Sequence, residues 1–165
     1  MNREYADRKE LDDFKLLLEF NEKLKLKDLG KTPEYYATDA SGITNHQIIN
    51  IELKQRRMRL NDDLTLSAKT YTADTLYIES HKLADMLLDY MYEDKTPLYI
   101  NFLDDGTVIV HNLARLKSRP KKVNFKKIYS ELYGGFELAK RQELRLDEAW
   151  IYKKDKDKYI LIHKP

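Results

Sequence analysis

The run Ile48-Ile49-Asn50-Ile51-Glu52-Leu53-Lys54 constrains this chain more than any other stretch. Side chains of a strand alternate between its faces, so Ile49, Ile51 and Leu53 point one way. Asn50, Glu52 and Lys54 point the other. One face is apolar, and the other sets a carboxylate beside an ammonium. Asp39 stands thirteen positions before Glu52, at the end of a strand-like run, so a second carboxylate can converge on the pair. Two acids and a lysine at a strand end can hold a hard divalent cation and orient a water against a phosphodiester.

Spacing alone does not single out this triplet. Asp7 with Lys9, Asp13 with Lys15 and Glu93 with Lys95 repeat it, but in helices or helix ends, where such residues form a solvated face. An antiparallel strand with one face in water also reads apolar-in and charged-out. The first helix adds a third acid. At about 100° per residue, Glu10 projects near the middle of the side carrying Phe14 and Leu17, with Asn21 three turns along. An acid inside an apolar stripe is costly without a partner such as a metal. In a first turn it also favours the helix N-terminus. Glu19 and Glu22 project further from that stripe.

Composition narrows the class. With 165 residues, 42% of them hydrophobic and 35% charged, the expectation is one globular domain over 1–165. Its core would occupy about 7–113, with 114–165 a basic connection and a closing hairpin. No cysteine is present, which excludes disulfide frameworks and thiolate metal sites. Residues 1–10 are charged and no apolar run approaches a membrane span, so a cytoplasmic protein without membrane attachment is expected. The net charge of +2 is small but uneven: Arg56, Arg57 and Arg59 follow the site strand, and Lys117, Arg119, Lys121, Lys122, Lys126 and Lys127 form a second group. A third holds Lys153, Lys154, Lys156 and Lys158.

Periodicity predicts a helix over 7–28 stopped by Gly30, a strand over 34–39, a turn over 40–45 and the site strand over 47–54. Residues 56–63 read as a loop, 64–71 as a further strand, and 79–92 as a second helix stopped by Pro97. Residues 98–103 and 108–110 form the clearest hairpin, around Asp105-Gly106. A basic connection over 117–127, a short helix over 125–133 and a terminal hairpin of 150–152 with 159–163 complete the chain. The fold class is α/β (α+β), a central mixed β-sheet flanked by helices.

The helix acid, Asp39 and Glu52-Leu53-Lys54 resemble the signature of the PD-(D/E)XK nuclease superfamily, and the element order resembles its restriction-endonuclease-like core. Small Holliday junction resolvase-like endonucleases are similar in size and in the gap between the two acids. The resemblance covers about 10–113; Thr38 stands where the pattern has a proline. It implies a metal-dependent DNA endonuclease, a hydrolase of phosphodiesters, with Asp39 and Glu52 as ligands of Mg²⁺ (Mn²⁺ substituting) together with the Leu53 carbonyl and waters. Lys54 would orient or help deprotonate the attacking water, and Glu10 would bind a second ion or hold a metal-bound water. Arg56, Arg57, Arg59, Lys121 and Lys122 would contact DNA. A homodimer through 79–92 would suit the resemblance, although a core already explains that stripe. Domains of this kind serve DNA repair, recombination, restriction and phage replication alike.

Two other classes fit the composition. One is a non-catalytic nucleic-acid-binding module on the same fold; the other is a structural or assembly protein whose charged sheet face is only solvated. The histidines His46, His81, His111 and His163 show no ligand spacing, and Ser41 sits in no nucleophile elbow.

Overall fold

The structure, a computed structural model, describes residues 3–33, 36, 38–117, 121–130 and 135–165, with backbone alone at 3, 6, 121–130 and 135–139. Helix α1 (Arg3–Leu24) leads into β1 (Lys27–Lys31), β2 (Ala40–Ile43) and β3 (Ile48–Arg56). Short strands β4 (Arg59–Leu60), β5 (Leu66–Ser67) and β6 (Thr72–Ala73) precede β7 (Thr75–Glu79) and α2 (Ser80–Glu93). Then come β8 (Lys95–Leu103), β9 (Thr107–Asn112), β10 (Lys121–Ser130), β11 (Gly135–Arg145), β12 (Trp150–Asp155) and β13 (Lys158–His163).

The main sheet has the order β1-β2-β3-β8-β9-β12-β13. It is mixed: β3 and β8 run parallel, and the other neighbours are antiparallel. One face meets α1, where Leu17 and Phe20 are fully buried against Ile49, Ile51, Leu53, Ile100 and Phe102. Burying such a side chain contributes about 2–3 kcal/mol. Phe20 also meets the rings of Tyr152 and Tyr159 edge-on, at 5.0 and 5.1 Å between centroids. On the other face α2 buries Leu83 and Met86 with Tyr99, Ile78 and Leu144. The expected mixed sheet between helices is therefore present.

Several expectations need correction. Helix α1 ends at Leu24, because Lys25 turns left-handed (φ 54°) and the Asn21 amide bonds both the N–H and the C=O of Leu26, each at 3.0 Å. The segment carrying Gly30 is thus a strand rather than a helix stop. Residues 40–43, expected as a turn, form β2, and the reversal falls later, where Thr44 N–H donates to the Gln47 carbonyl at 2.9 Å. Most of the predicted strand over 34–39 lies outside the described residues or is irregular. Asp94, left-handed at φ 54°, stops α2, and Pro97 lies buried inside β8. The expected helix over 125–133 is strand where described: β10 pairs with β11, and β11 with β7. Strand pairing overrides local propensity there.

Candidate functional site

The site begins where the sheet is incomplete. β2 pairs with β3 only as far as Ala40 opposite Ile51, so from Glu52 onward β3 keeps a neighbour, β8, on one side alone. Asp39 finishes the open edge. Its N–H donates to the Ile51 carbonyl at 2.9 Å, and its Oδ2 accepts the Leu53 N–H at 2.7 Å. A strand residue sends its N–H and C=O to the same edge, so the Leu53 carbonyl also projects into this gap. Thr32 ties the connecting loop shut, donating its N–H to the Asp39 carbonyl at 3.1 Å and its hydroxyl to the Thr38 carbonyl. A cavity of about 180 Å³ opens there, lined among others by Glu10, Asp13, Lys31, Asp39, Leu53 and Lys82.

Glu52 is fully buried. Its Oε1 accepts from Lys82 Nζ at 2.7 Å and pairs with Lys54 Nζ at 3.3 Å. Its Oε2 is buried with no hydrogen-bond partner among the described residues. Burial, and next the neighbouring Asp39, push the Glu52 carboxyl up to about 7 despite both lysines. Burial alone would lower the Lys54 ammonium, but Glu52, Tyr99, Glu79 and Asp39 together hold it above its ordinary value. The polar face of β3 lies under α2 and is not a solvated surface. Lys82, Met86 and Asp89 fall on one side of that helix at spacings of four and three. Asp89 accepts from Asn50 Nδ2 at 3.0 Å as Lys82 reaches Glu52, two residues along the same strand face.

Of the residues singled out from sequence, Asp39, Glu52 and Lys54 do come together. Glu10 lines the cavity but is exposed, in an ion pair with Lys31 at 3.1 Å. The more deeply placed helix acid is Asp13, which sequence reasoning had left on a solvated face. It is buried, accepts from Gln55 Nε2 at 2.7 Å, and its carboxyl is pushed up by burial. The signal was available, since Asp13, Leu17, Phe20 and Leu24 share one helical stripe. Glu19 and Glu22 instead anchor the terminal hairpin, through Lys154 at 3.0 Å and the Tyr159 N–H at 3.2 Å.

The basic residues divide. Arg56, expected in a loop and free to meet a phosphate, ends β3 and turns inward. Its guanidinium donates to Asn101 Oδ1 at 3.0 Å, the Tyr77 carbonyl at 2.9 Å and Tyr99 Oη at 2.7 Å. Arg57 and Arg59 are exposed. The side chains of Lys121 and Lys122 lie outside those described. Lys82 was missed because its partner is thirty positions away in the chain.

Among the described residues no three His, Asp or Glu side chains gather closely enough to form a metal cluster by themselves. Mg²⁺ needs no such cluster: one or two carboxylates, with backbone oxygen and waters, suffice. Asp39 and Leu53 line the cavity, and Glu52, with Oε2 unpartnered among the described residues, lies buried close enough to Asp39 for the two carboxylates to act on each other.

No protein-family profile matches the chain, and no curated protein does. Among solved structures it is similar to Hjc of Archaeoglobus fulgidus, a Holliday junction resolvase from an archaeal hyperthermophile. The TM-score is 0.48 at 7% identity, over 81% of this chain and 84% of that one. No described helix is long and apolar enough to cross a membrane.

Proposed function

We propose that this chain is a metal-dependent nuclease that hydrolyses phosphodiester bonds in DNA at the open edge of β3, as its resemblance to the PD-(D/E)XK superfamily suggests. The observation that carries the reading is Glu52: a fully buried carboxylate with one oxygen on two ammonium groups and the other unpartnered among the described residues, beside Asp39. Asp39, Glu52 and the Leu53 carbonyl would hold Mg²⁺, or Mn²⁺ in its place. When bound, the ion polarises the phosphoryl group and lowers the pKa of water.

The chain's own residues do the rest. Asp39 is held in place by the Leu53 N–H, and Glu52 by two lysines, so neither acid must reorganise as charge builds up. In the reaction a water oxygen bonds to phosphorus while one ester P–O bond breaks. The water releases a proton to solvent and the departing oxygen takes one up. The exposed Arg57 and Arg59 follow directly on the site strand, where a DNA backbone requires positive charge. The test is cleavage of supercoiled plasmid and of branched DNA in Mg²⁺ or Mn²⁺ by wild type, Asp39→Ala and Glu52→Ala. Cleavage by wild type, with a loss of about 10²-fold or more in each variant, supports the reading. Equal activity in all three, or none in wild type on any DNA, overturns it.

A further inference from the structure

The cavity beside Asp39 is not lined by charge alone. Phe14, Pro33 and Tyr36 form an apolar part of its wall, and Tyr36 is 52% exposed, so it stands where the cavity meets solvent. We propose that this wall is a nucleobase subsite, in which one unpaired base next to the scissile phosphate stacks on Tyr36. The chain then acts on DNA whose nucleotides are unpaired at the cut. The proposal rests on the nuclease reading and names the substrate class of that site.

Three observations carry it. The first is continuity. The apolar wall belongs to the same cavity as Asp39 and Leu53, so one nucleotide can set its phosphate at the open edge of β3 and its base against the ring. The second is the fastening of the segment that carries Tyr36. Its N–H donates to the Pro33 carbonyl at 2.9 Å, and Thr32 donates to the carbonyls of Thr38 and Asp39. A ring presented on a fastened backbone gives up little freedom when a ligand stacks on it. The third is the polar part of the wall. Asp13 Oδ1 accepts from Gln55 Nε2 at 2.7 Å, and the carboxylate has no other hydrogen-bond partner among the described residues. A base presents N–H donors on its edges, which a carboxylate accepts, whereas a phosphodiester presents acceptors alone. An aromatic face with a carboxylate beside it therefore suits a base, and tyrosine stacks on any base because each has a π-face. Inside a duplex both faces of a base are covered by its neighbours, so only an unpaired base reaches the ring without being extruded first.

Two measurements test this. In the first, a single-stranded oligonucleotide carrying iodouracil is bound to wild type in Ca²⁺ and irradiated, and mass spectrometry identifies the cross-linked residue. A cross-link at Tyr36 supports the proposal. Cross-links confined to other residues, or none at all, overturn it. In the second, fluorescence anisotropy gives the affinities for a single strand and for a blunt duplex of the same sequence. Tyr36→Ala should lower the ratio of single-strand to duplex affinity by about 10-fold, while Tyr36→Trp, which keeps a stacking face, should hold or raise it. A ratio unchanged in Tyr36→Ala, or lowered as much in Tyr36→Trp, overturns the subsite. The two readings fail separately. If wild type cleaves DNA and no cross-link forms at Tyr36, the subsite falls and the nuclease reading stands. Should wild type cleave no DNA, the nuclease reading fails, and the cross-link still decides whether a base lies on Tyr36.

Discussion

Replacing Glu52 with glutamine should change how stability depends on pH, and the size of the change follows from the site. Two ammonium groups on Oε1 favour the carboxylate, whereas burial and Asp39 favour the acid. The second pair wins, so that Glu52 titrates near 7 in the folded chain against an ordinary 4.5. A folded state that holds its proton more tightly than the unfolded state loses stability as pH rises from the unfolded to the folded value. At about 1.4 kcal/mol per pH unit, that window amounts to about 3 kcal/mol, complete by roughly pH 7.5. Glutamine keeps the shape and cannot titrate. Urea unfolding in EDTA from pH 4 to 8 therefore should show wild type losing about 3 kcal/mol relative to Glu52→Gln. A difference that stays flat would refute the reasoning. One that moves in wild type's favour would mean that the two lysines, rather than burial, govern the carboxyl.

Other predictions concern the surroundings. Arg56→Met should destabilise the fold by about 3 kcal/mol in urea unfolding, since it strips partners from Asn101, Tyr99 and the Tyr77 carbonyl. Arg57→Ala and Arg59→Ala should each cost no more than about 0.5 kcal/mol, yet each should lower the salt slope of DNA binding by about one, as fluorescence anisotropy would show. Buried His111 donates its Nε2–H to the Arg145 carbonyl (2.8 Å), and burial holds its pKa below 6.5. The unfolded state therefore takes up the proton first, and wild type should lose stability relative to His111→Gln as pH falls below that value. Mg²⁺ at about 100 times its Kd should stabilise wild type by about 2.7 kcal/mol in calorimetry and leave Glu52→Ala unaffected.

The sequence made some elements plain and concealed others for physical reasons. β3, the hairpin of β8 and β9, and α2 were legible because each has one dominant period and, for the hairpin, an Asp105-Gly106 turn with Gly106 at φ 80°. The Asp39, Glu52 and Lys54 grouping was legible for the same reason, since alternation alone puts both members of the strand pair on one face. Other features were set by distant neighbours. Ser41-Gly42 carries turn residues, but Gly42 pairs with Ile49 in β2, and glycine stands there because a Cβ would meet Leu26 Cβ at 3.0 Å. β1, with Lys27-Asp28-Leu29-Gly30-Lys31, shows no alternation at all and is strand only through pairing with β2. A polar strand face reads as solvated when one strand is considered alone. That α2 covers it, bringing Lys82 to Glu52, is a fact of tertiary structure.

The signs of the charges at the cavity separate the nuclease reading from a purely DNA-binding one. A surface that only binds nucleic acid presents exposed cations to phosphates and gains nothing from buried carboxylates. Here Glu10, Asp13 and Asp39 line the cavity with Lys31 and Lys82, and Glu52 lies fully buried beside Asp39, so an approaching phosphate meets acids as well as ammonium groups. Lys31 and Lys82 are each paired with an acid, Glu10 and Glu52, and a cation bound between the remaining acids and the phosphate would turn their repulsion into attraction. Folding does not call for the arrangement either. Buried ion clusters exchanged for apolar side chains of similar size commonly leave a protein as stable or more so, by about 1–4 kcal/mol. An acid cluster that costs stability, placed where β2 stops short and the edge of β3 lies open, is one that a metal-assisted reaction on an anionic substrate would use.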